Sequence, residues 1–264
     1  MGRIIAVANQ KGGVGKTTTT INLPAALALA GQRVLVVDMD PQANLTSGLG
    51  LKGRATEAGT IYRALTVPEP LTDITPFLLQ TSVERLTIVP ADAHLTGAEI
   101  ELVTLPRREE RLRELLAPQR EHFDLIFIDC PPSLGLLTLN SLVAADTVLI
   151  PLPCEYFALE GLADLVGTMR RVRAALNPDL DIEGVLLTMY DERTNLGQQV
   201  GRDVREFFKE KVFETIIPRN VRLGEAPSHG LPIVLYDIRS RGAAAYLALA
   251  RELLARSGHA EMVT

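Results

Sequence analysis

The sequence predicts an α/β fold with a single doubly wound, mostly parallel sheet flanked by helices. Short apolar runs rich in β-branched residues alternate with longer amphipathic stretches, as they do in repeated strand–helix–strand units. Several of these short runs are apolar throughout, which is expected of strands that helices cover on both faces. Apolar residues make up 47% of the chain and charged residues 22%, an ordinary globular composition.

The predicted strands and helices alternate along the whole chain of 264 residues. Strands are expected at residues 4–8, 34–38, 86–90, 125–129, 147–151, 182–189 and 214–217. Helices are expected at residues 16–29, 97–103, 107–116, 134–144, 159–176, 196–209 and 243–256. Residues 50–80 are the least regular stretch and are interpreted as an insertion. Residues 1–256 are expected to form one domain, with residues 257–264 as a frayed tail.

The overall charge and the cysteine count exclude several classes of protein. A formal net charge of −5 argues against a protein that coats nucleic acid through bulk charge, so any such binding must be local or conditional. Cys130 and Cys154 form no CxxC pair, which predicts neither disulfides nor a zinc site and fits a reducing cytoplasm. Both cysteines are interpreted as core or site-wall residues. Neither a signal peptide nor a membrane-spanning run is recognisable, so a soluble, cytoplasmic protein is expected.

A glycine-rich loop follows the first predicted strand and precedes the first predicted helix, the context that a P-loop requires. Backbone N–H groups of such a loop and the positive end of the helix surround the β-phosphate of a nucleotide. Lys16 is expected to reach the β- and γ-phosphates of ATP, and the Thr17 hydroxyl to bind Mg²⁺. The expected ATP-binding residues of the loop are Lys11, Gly12, Gly13, Val14, Gly15, Lys16, Thr17 and Thr18.

The loop departs from the usual GxxxxGK[ST] pattern at its start. The first glycine of that pattern would stand at position 10, where this chain has Gln10, and a second lysine, Lys11, precedes the glycine pair. Lys11 lies too early to fold back easily onto its own nucleotide. It could instead reach a phosphate across a dimer interface and neutralise charge in the transition state. Lys11 and Lys16 are therefore both candidate catalytic residues.

Three aspartates end two of the predicted strands, where open α/β sheets bind their ligands. Asp129 is expected to hold Mg²⁺ through a water molecule, and Asp40 to position the attacking water. Taken alone, either aspartate could instead be a helix cap or a turn former. Asp38 lies on the same side of its strand as Asp40, so it either takes part in the chemistry or only orients Asp40.

These motifs resemble the ParA/MinD group of deviant Walker A ATPases. The resemblance rests on residues 11–18, 38–42 and 129–132, while residues 154–161, 187–191, 217–222 and 226–230 are similar to the chromosomal ParA proteins, also called Soj. It covers nearly the whole chain. It implies an ATP-dependent homodimer in which each Lys11 reaches the nucleotide of the other subunit. It also implies that the ATP-bound dimer binds double-stranded DNA non-specifically, on the nucleoid, until a ParB partner stimulates hydrolysis and releases it.

The resemblance also assigns residues to the base of the nucleotide and to DNA. Pro218 and Asn220 match positions that face adenine, and Arg193 and Arg222 match positions that contact DNA. Arg219, Arg239 and Arg241 are further candidates for DNA contact only because they lie near Arg222 in the sequence. From the residues themselves, four arginines stand against two acids between residues 216 and 242, although an isolated surface arginine is usually only solvated. Dimerisation would double this patch, and phosphate contacts need charge but no base-reading residue.

Three alternatives share this loop. A metabolic enzyme could use ATP to activate a carboxylate for ligation or amidation, although the chain leaves no room for an amidotransferase domain. A membrane-surface switch of the MinD kind would need an amphipathic C-terminal helix, which residues 257–264 do not form. A nitrogenase-type iron protein would bridge an iron–sulfur cluster with paired cysteines, a pattern that Cys130 and Cys154 do not follow.

Overall fold

The protein folds around one mostly parallel sheet. The computed structural model describes residues 2–155, 158–190 and 194–258. Within them the strands are β1 (Arg3–Val7), β2 (Val34–Asp38), β3 (Leu79–Gln80), β4 (Leu86–Val89), β5 (Leu125–Asp129), β6 (Thr147–Pro153) and β7 (Asp181–Thr188). Their order is β3-β4-β2-β5-β1-β6-β7, and every neighbouring pair is parallel except β3 with β4. The predicted fold class is confirmed.

Helices cover both faces of this sheet. The described helices are α1 (Lys16–Leu29), α2 (Asn44–Gly48), α3 (Ile61–Thr66), α4 (Leu95–Glu101), α5 (Arg111–Leu116), α6 (Leu136–Ala144), α7 (Ala158–Ala175), α8 (Asn195–Phe208), α9 (Val221–Glu225), α10 (Ile233–Tyr236) and α11 (Arg241–Arg256). Successive residues of β1 alternate between two cores: Ile4 packs with residues of α3 to α8, and Ile5 with residues of α1 and α11. Among the described helices, none is long and apolar enough to cross a membrane.

The expected strand at residues 214–217 is wrong. These residues form no strand: Ile217 N–H donates to the carbonyl of Leu187 in β7 at 2.9 Å, while the flanking Val212 and Pro218 make isolated bridges to Val185 and Tyr190. Pro218 has no N–H to donate to a ladder, so regular pairing cannot continue through it. The backbone N–H groups of Glu214 and Thr215 donate to the Glu252 carboxylate of α11, at 2.8 and 2.9 Å. A side chain from a distant helix therefore takes the place of a neighbouring strand.

The irregular residues 50–80 are packed into the fold rather than looped out of it. They contain α3 and the edge strand β3, and the side chains of Ile61, Leu65 and Phe77 are buried in the core. Arg111 fastens this segment from α5. Its buried guanidinium donates to the carbonyl oxygens of Leu65 at 2.9 Å and Pro68 at 3.0 Å. These bonds satisfy carbonyl groups that have no ladder partner.

The sheet order determines where a ligand can lie. The strands β2, β5 and β1 are adjacent and parallel, so their carboxyl ends meet at one edge of the sheet. In register, Asp129 of β5 pairs with Asp38 of β2 on one side and with Val7 of β1 on the other. The glycine-rich loop that follows β1 therefore lies beside both carboxylate-bearing strand ends, which is the usual ligand position in such sheets.

Replacing Arg111 with alanine should destabilise the fold by about 3 kcal/mol, because several buried carbonyl groups lose their donor at once. Arg111→Lys should not restore stability, since one ammonium group cannot reproduce the forked contacts of a guanidinium. Urea unfolding measures both effects. Arg63→Ala, at an exposed arginine of α3, is the control and should change the free energy of unfolding by less than about 0.5 kcal/mol. An equal effect of the two alanine variants would contradict this role of Arg111.

Candidate active site

The loop between β1 and α1 has the conformation that its glycines permit. Gly13 and Gly15 have φ angles of 72° and 95°, the left-handed region that side-chain-bearing residues rarely adopt. Gly15 directly precedes α1, and no acidic residue stands in the first turn of that helix. The positive end of the helix dipole therefore faces the loop without a neutralising carboxylate. Such an end is suited to binding a phosphate group.

A cavity of about 500 Å³ opens above this loop. One wall consists of the loop and first turn of α1, with Gly12, Gly13, Gly15, Lys16, Thr17 and Thr18. The lining also includes Ile217, Pro218 and Asn220, so the two residues expected at adenine and the residues expected at phosphate border the same cavity. The volume falls in the range of cavities that bind small ligands.

Lys16 is the lysine that belongs to this cavity. Its side chain is buried, and its Nζ donates to the carbonyl oxygen of Lys11 at 3.0 Å, which curves the loop around the ammonium group. Burial lowers the pKa of Lys16, while the nearby carboxylates of Asp129 and Asp40 act in the opposite direction. The ammonium group therefore lies where phosphate oxygens would enter, between the loop and two acids.

Thr17 lines the cavity, and the fully buried Asp129 lies in hydrogen-bond contact with it. The Thr17 hydroxyl donates to Asp129 Oδ2 at 2.8 Å, and the Thr20 hydroxyl donates to Asp129 Oδ1 at 3.0 Å. Burial, and next the neighbouring carboxylate of Asp38, raises the pKa of Asp129 to about 8, against the effect of both hydroxyl donors. A buried carboxylate beside other acids is an environment that a cation would stabilise.

The donor set fits Mg²⁺ that is shared with a nucleotide. A hydroxyl and a carboxylate are the oxygen ligands that Mg²⁺ prefers, and this ion usually takes one or two protein groups together with phosphates and water. Across the described ranges no three His, Cys, Asp or Glu side chains form a metal cluster. Thr17, and Asp129 through a water molecule, would hold the ion together with nucleotide phosphates.

Asp38 and Asp40 have different positions, although they are two residues apart. Asp40 lines the cavity, whereas Asp38 is fully buried and is not part of its wall. Asp38 accepts hydrogen bonds from the N–H of Asp40 at 3.2 Å and from the N–H and hydroxyl of Thr46 at 2.9 and 2.7 Å. Burial raises the pKa of Asp38 to about 6. Of the two interpretations open from sequence, this geometry favours Asp38 as the group that orients Asp40.

Two residues of the expected ATP-binding set do not line the cavity. The Val14 side chain is buried, and its carbonyl accepts the Thr188 hydroxyl at 2.8 Å. The Lys11 side chain leaves the cavity and its Nζ donates to Glu155 Oε2 at 3.1 Å. Val14 can therefore contribute only backbone, and Lys11 does not point at a nucleotide of its own subunit in this structure.

Some residues of the site were not found from sequence. Thr20 was missed, although it follows Thr17 by three positions on a helix and so shares its face toward Asp129. Thr188 ends β7 and packs against Gly15; it stands in the stretch 187–191 that resembles the ParA proteins, but the sequence assigned it no role. Glu155 stands 144 positions from Lys11, so only the fold brings their side chains together.

The arginines expected at DNA are distributed unevenly. Arg193 lies outside the described residues. Arg219 is 70% exposed at the cavity mouth, with its Nη2 4.0 Å from Glu155 Oε1. Arg222 is 54% exposed, and its guanidinium contacts Glu225 at 2.8 Å and Asp237 at 3.6 Å. The two acids counted against this patch thus both contact one arginine.

Comparison with known proteins agrees with this geometry. A family model described as an AAA domain matches residues 2–182. The chain is 58% identical to the chromosome partitioning protein ParA of Myxococcus xanthus, over 97% of this chain and 89% of the relative. It is 57% identical to the sporulation initiation inhibitor protein Soj of Bacillus subtilis, over 97% of this chain and 99% of the relative. The chain belongs to the ParA/Soj family. The resemblance inferred from the sequence motifs is confirmed.

Solved structures share the fold over nearly the full length. The cell division ATPase MinD of Pyrococcus furiosus has a TM-score of 0.79 at 28% identity, covering 97% of this chain and all of that chain. A structure named cobyrinic acid a,c-diamide synthase, from Mycobacterium smegmatis with bound ADP and magnesium, has a TM-score of 0.81 at 38% identity. That similarity covers all of this chain and 98% of the synthase. The second name keeps the amidation alternative open to experiment.

Lys16→Ala should weaken ATP binding by about two orders of magnitude, because the cavity loses the buried ammonium group that is expected to contact phosphate. Lys11→Ala should leave the affinity of an isolated subunit within about threefold, since that side chain lies outside the cavity. Titration with a fluorescent ATP analogue, at protein concentrations below the dissociation constant of the dimer, measures both affinities. Equal losses in the two variants would contradict the separate placement of the lysines.

Proposed function

We propose that the chain is an ATP-dependent DNA-partitioning switch. In this proposal the ATP-bound homodimer binds double-stranded DNA on the nucleoid without sequence preference, and a ParB-like partner stimulates hydrolysis and releases it. The chain is an ATPase that uses ATP with Mg²⁺. The observation that most strongly supports the switch is that the two lysines of one loop place their side chains differently. Lys16 lies in the cavity, whereas the Lys11 side chain points away from it and pairs with Glu155.

The cavity residues support hydrolysis by positioning and charge. Backbone N–H groups of the loop and the Lys16 ammonium hold the triphosphate in place. Bound between Thr17, Asp129 and the phosphates, Mg²⁺ would neutralise charge on the phosphate oxygens. Asp40 lines the cavity on a backbone that Asp38 fixes, so its carboxylate is placed to orient a water toward the γ-phosphate. Lys11 from a partner would complete the neutralisation of the transition state.

The net negative charge of the chain and its local arginine patch support DNA binding that depends on the dimer. The chain carries a net charge of −5, so assembly doubles its negative charge and a local basic patch must supply the attraction. Arg222 and Arg219 are exposed and lie on the segment that borders the cavity mouth. The carboxylates beside Arg222 do not exclude DNA, because exposed ion pairs are weak and phosphates can replace them.

The amidation alternative is favoured by one comparison, the structure named as a diamide synthase. Such an enzyme needs a second substrate with a carboxylate and a source of ammonia beside the nucleotide. The curated relatives at 57% and 58% identity are instead named as Soj and ParA. The two functions make different predictions for DNA, which an amidating enzyme has no reason to bind.

The protein should bind a non-specific DNA duplex with ATP and not with ADP or without nucleotide. Raising salt from about 50 to about 200 mM should weaken this binding by tenfold or more, because several phosphate contacts release counterions. Fluorescence anisotropy with two unrelated duplex sequences measures affinity and the absence of sequence preference. Binding in no nucleotide state would leave an ATPase whose partner is not DNA.

Arg222→Glu identifies the surface used. We expect it to lower ATP-dependent DNA affinity by about tenfold or more, with two reversed charges per dimer, while basal ATP hydrolysis stays unchanged. Arg171→Glu makes the same charge change on the exposed arginine face of α7 and is the matched control. Unchanged affinity in Arg222→Glu, or an equal loss in both variants, would place the DNA surface elsewhere.

A further inference from the structure

The side chain of Lys11 is held inside its own subunit. Its backbone N–H donates to Asn9 Oδ1 at 3.0 Å and its carbonyl accepts from Lys16 Nζ at 3.0 Å, so the main chain is fixed within the loop. Its ammonium group departs from the loop and meets Glu155 Oε2 at 3.1 Å. This ion pair decides where the charge of Lys11 lies.

Glu155 lies just past the end of β6, near Arg219, which lines the cavity. It follows β6 by two residues, and its backbone N–H donates to the carbonyl of Pro153 at 2.8 Å. One carboxylate oxygen contacts Lys11, while the other lies 4.0 Å from Arg219 Nη2. A single acid therefore faces two cations, and among the described residues neither cation has a second ion-pair partner.

The pair is strong enough to bias Lys11 and weak enough to break. The side chains of Lys11 and Glu155 are 37% and 49% exposed, and exposed ion pairs contribute little net free energy. The triphosphate of a second subunit carries several negative charges and would compete successfully for the same ammonium group. While the pair persists, however, Lys11 cannot reach across a dimer interface.

We propose that Glu155 is a positioning residue that holds Lys11 within its own subunit and thereby opposes dimer assembly until a bound ATP competes for the Lys11 ammonium group. This inference rests on the proposed function, in which Lys11 acts on the nucleotide of the partner. Each assembled dimer breaks two Lys11–Glu155 pairs, so the small free-energy cost of breaking one pair enters the dimerisation equilibrium twice.

The first test measures the pair itself, in nucleotide-free protein, by the rate at which an amine-reactive reagent labels Lys11. Glu155→Gln should raise labelling of Lys11 by roughly two- to fivefold, as expected from loss of an exposed pair. Lys211 is an internal reference, because its Nζ pairs with Asp181 at 2.9 Å and the two side chains are about as exposed as those of Lys11 and Glu155. The matched variant Asp181→Asn should raise labelling of Lys211 and leave Lys11 unchanged. Mass spectrometry resolves the two sites.

The second test measures assembly with ATP by analytical ultracentrifugation. Glu155→Gln should lower the dimer dissociation constant by roughly 2- to 30-fold. The difference between the dissociation constants of the variant and the wild type should become smaller at high salt, which screens the ion pair. Asp181→Asn removes the same charge and should leave the constant unchanged.

The outcomes separate this inference from the function on which it rests. Unchanged Lys11 labelling in Glu155→Gln would overturn the restraint on Lys11. Increased labelling with weaker or unchanged assembly would overturn the claim that Glu155 opposes assembly. A wild type that stays monomeric with ATP would overturn the proposed switch and, with it, the effect on assembly, while the labelling experiment would still decide whether Glu155 restrains Lys11.

Discussion

The hydrogen bond between the Thr17 hydroxyl and Asp129 joins the two halves of the site, and most of the architecture serves to make it. Asp129 ends β5, and Thr17 opens α1, so the contact of 2.8 Å requires β5 and β1 to be adjacent, parallel and in register. A short turn through Gly13 and Gly15 is needed to bring α1 back over that edge. Side chains buried on both faces of the sheet keep this geometry rigid.

At the same edge of the sheet, the acidic side chains differ in how far they are exposed to solvent. Asp38 and Asp129 are fully buried, Asp40 lines the cavity, and Glu155 is half exposed. Burial raises the pKa of Asp38 and Asp129, so these groups are poorly stabilised as carboxylates until a cation approaches. Lys16 lies among them, while Lys11 is held outside by Glu155. A subunit alone therefore has a phosphate-binding cavity but lacks one of the positive charges near it.

Local signals were sufficient wherever a pattern was long or chemically specific. Residues 16–29, 34–38 and 125–129 have the predicted bounds, because a glycine loop or an unbroken apolar run defines each one. The edge strand β3 has two residues, too few for a periodic signal. At residues 214–217 the apolar pattern was overruled by Pro218 and by Glu252, which lies 38 positions from Glu214. The Lys11–Glu155 contact likewise depends on folding and on no motif.

The proposed switch and the role of Glu155 both depend on Lys11 acting on the nucleotide of another subunit, and mixing two inactive variants tests this most directly. Lys11→Ala subunits keep a complete nucleotide cavity, and Lys16→Ala subunits keep an intact Lys11. A mixed dimer would then contain one cavity with Lys16 and a partner that supplies Lys11. We predict that ATP hydrolysis, absent in each variant alone, returns when the two are mixed. Continued inactivity of mixtures that demonstrably form mixed dimers would contradict action across the interface.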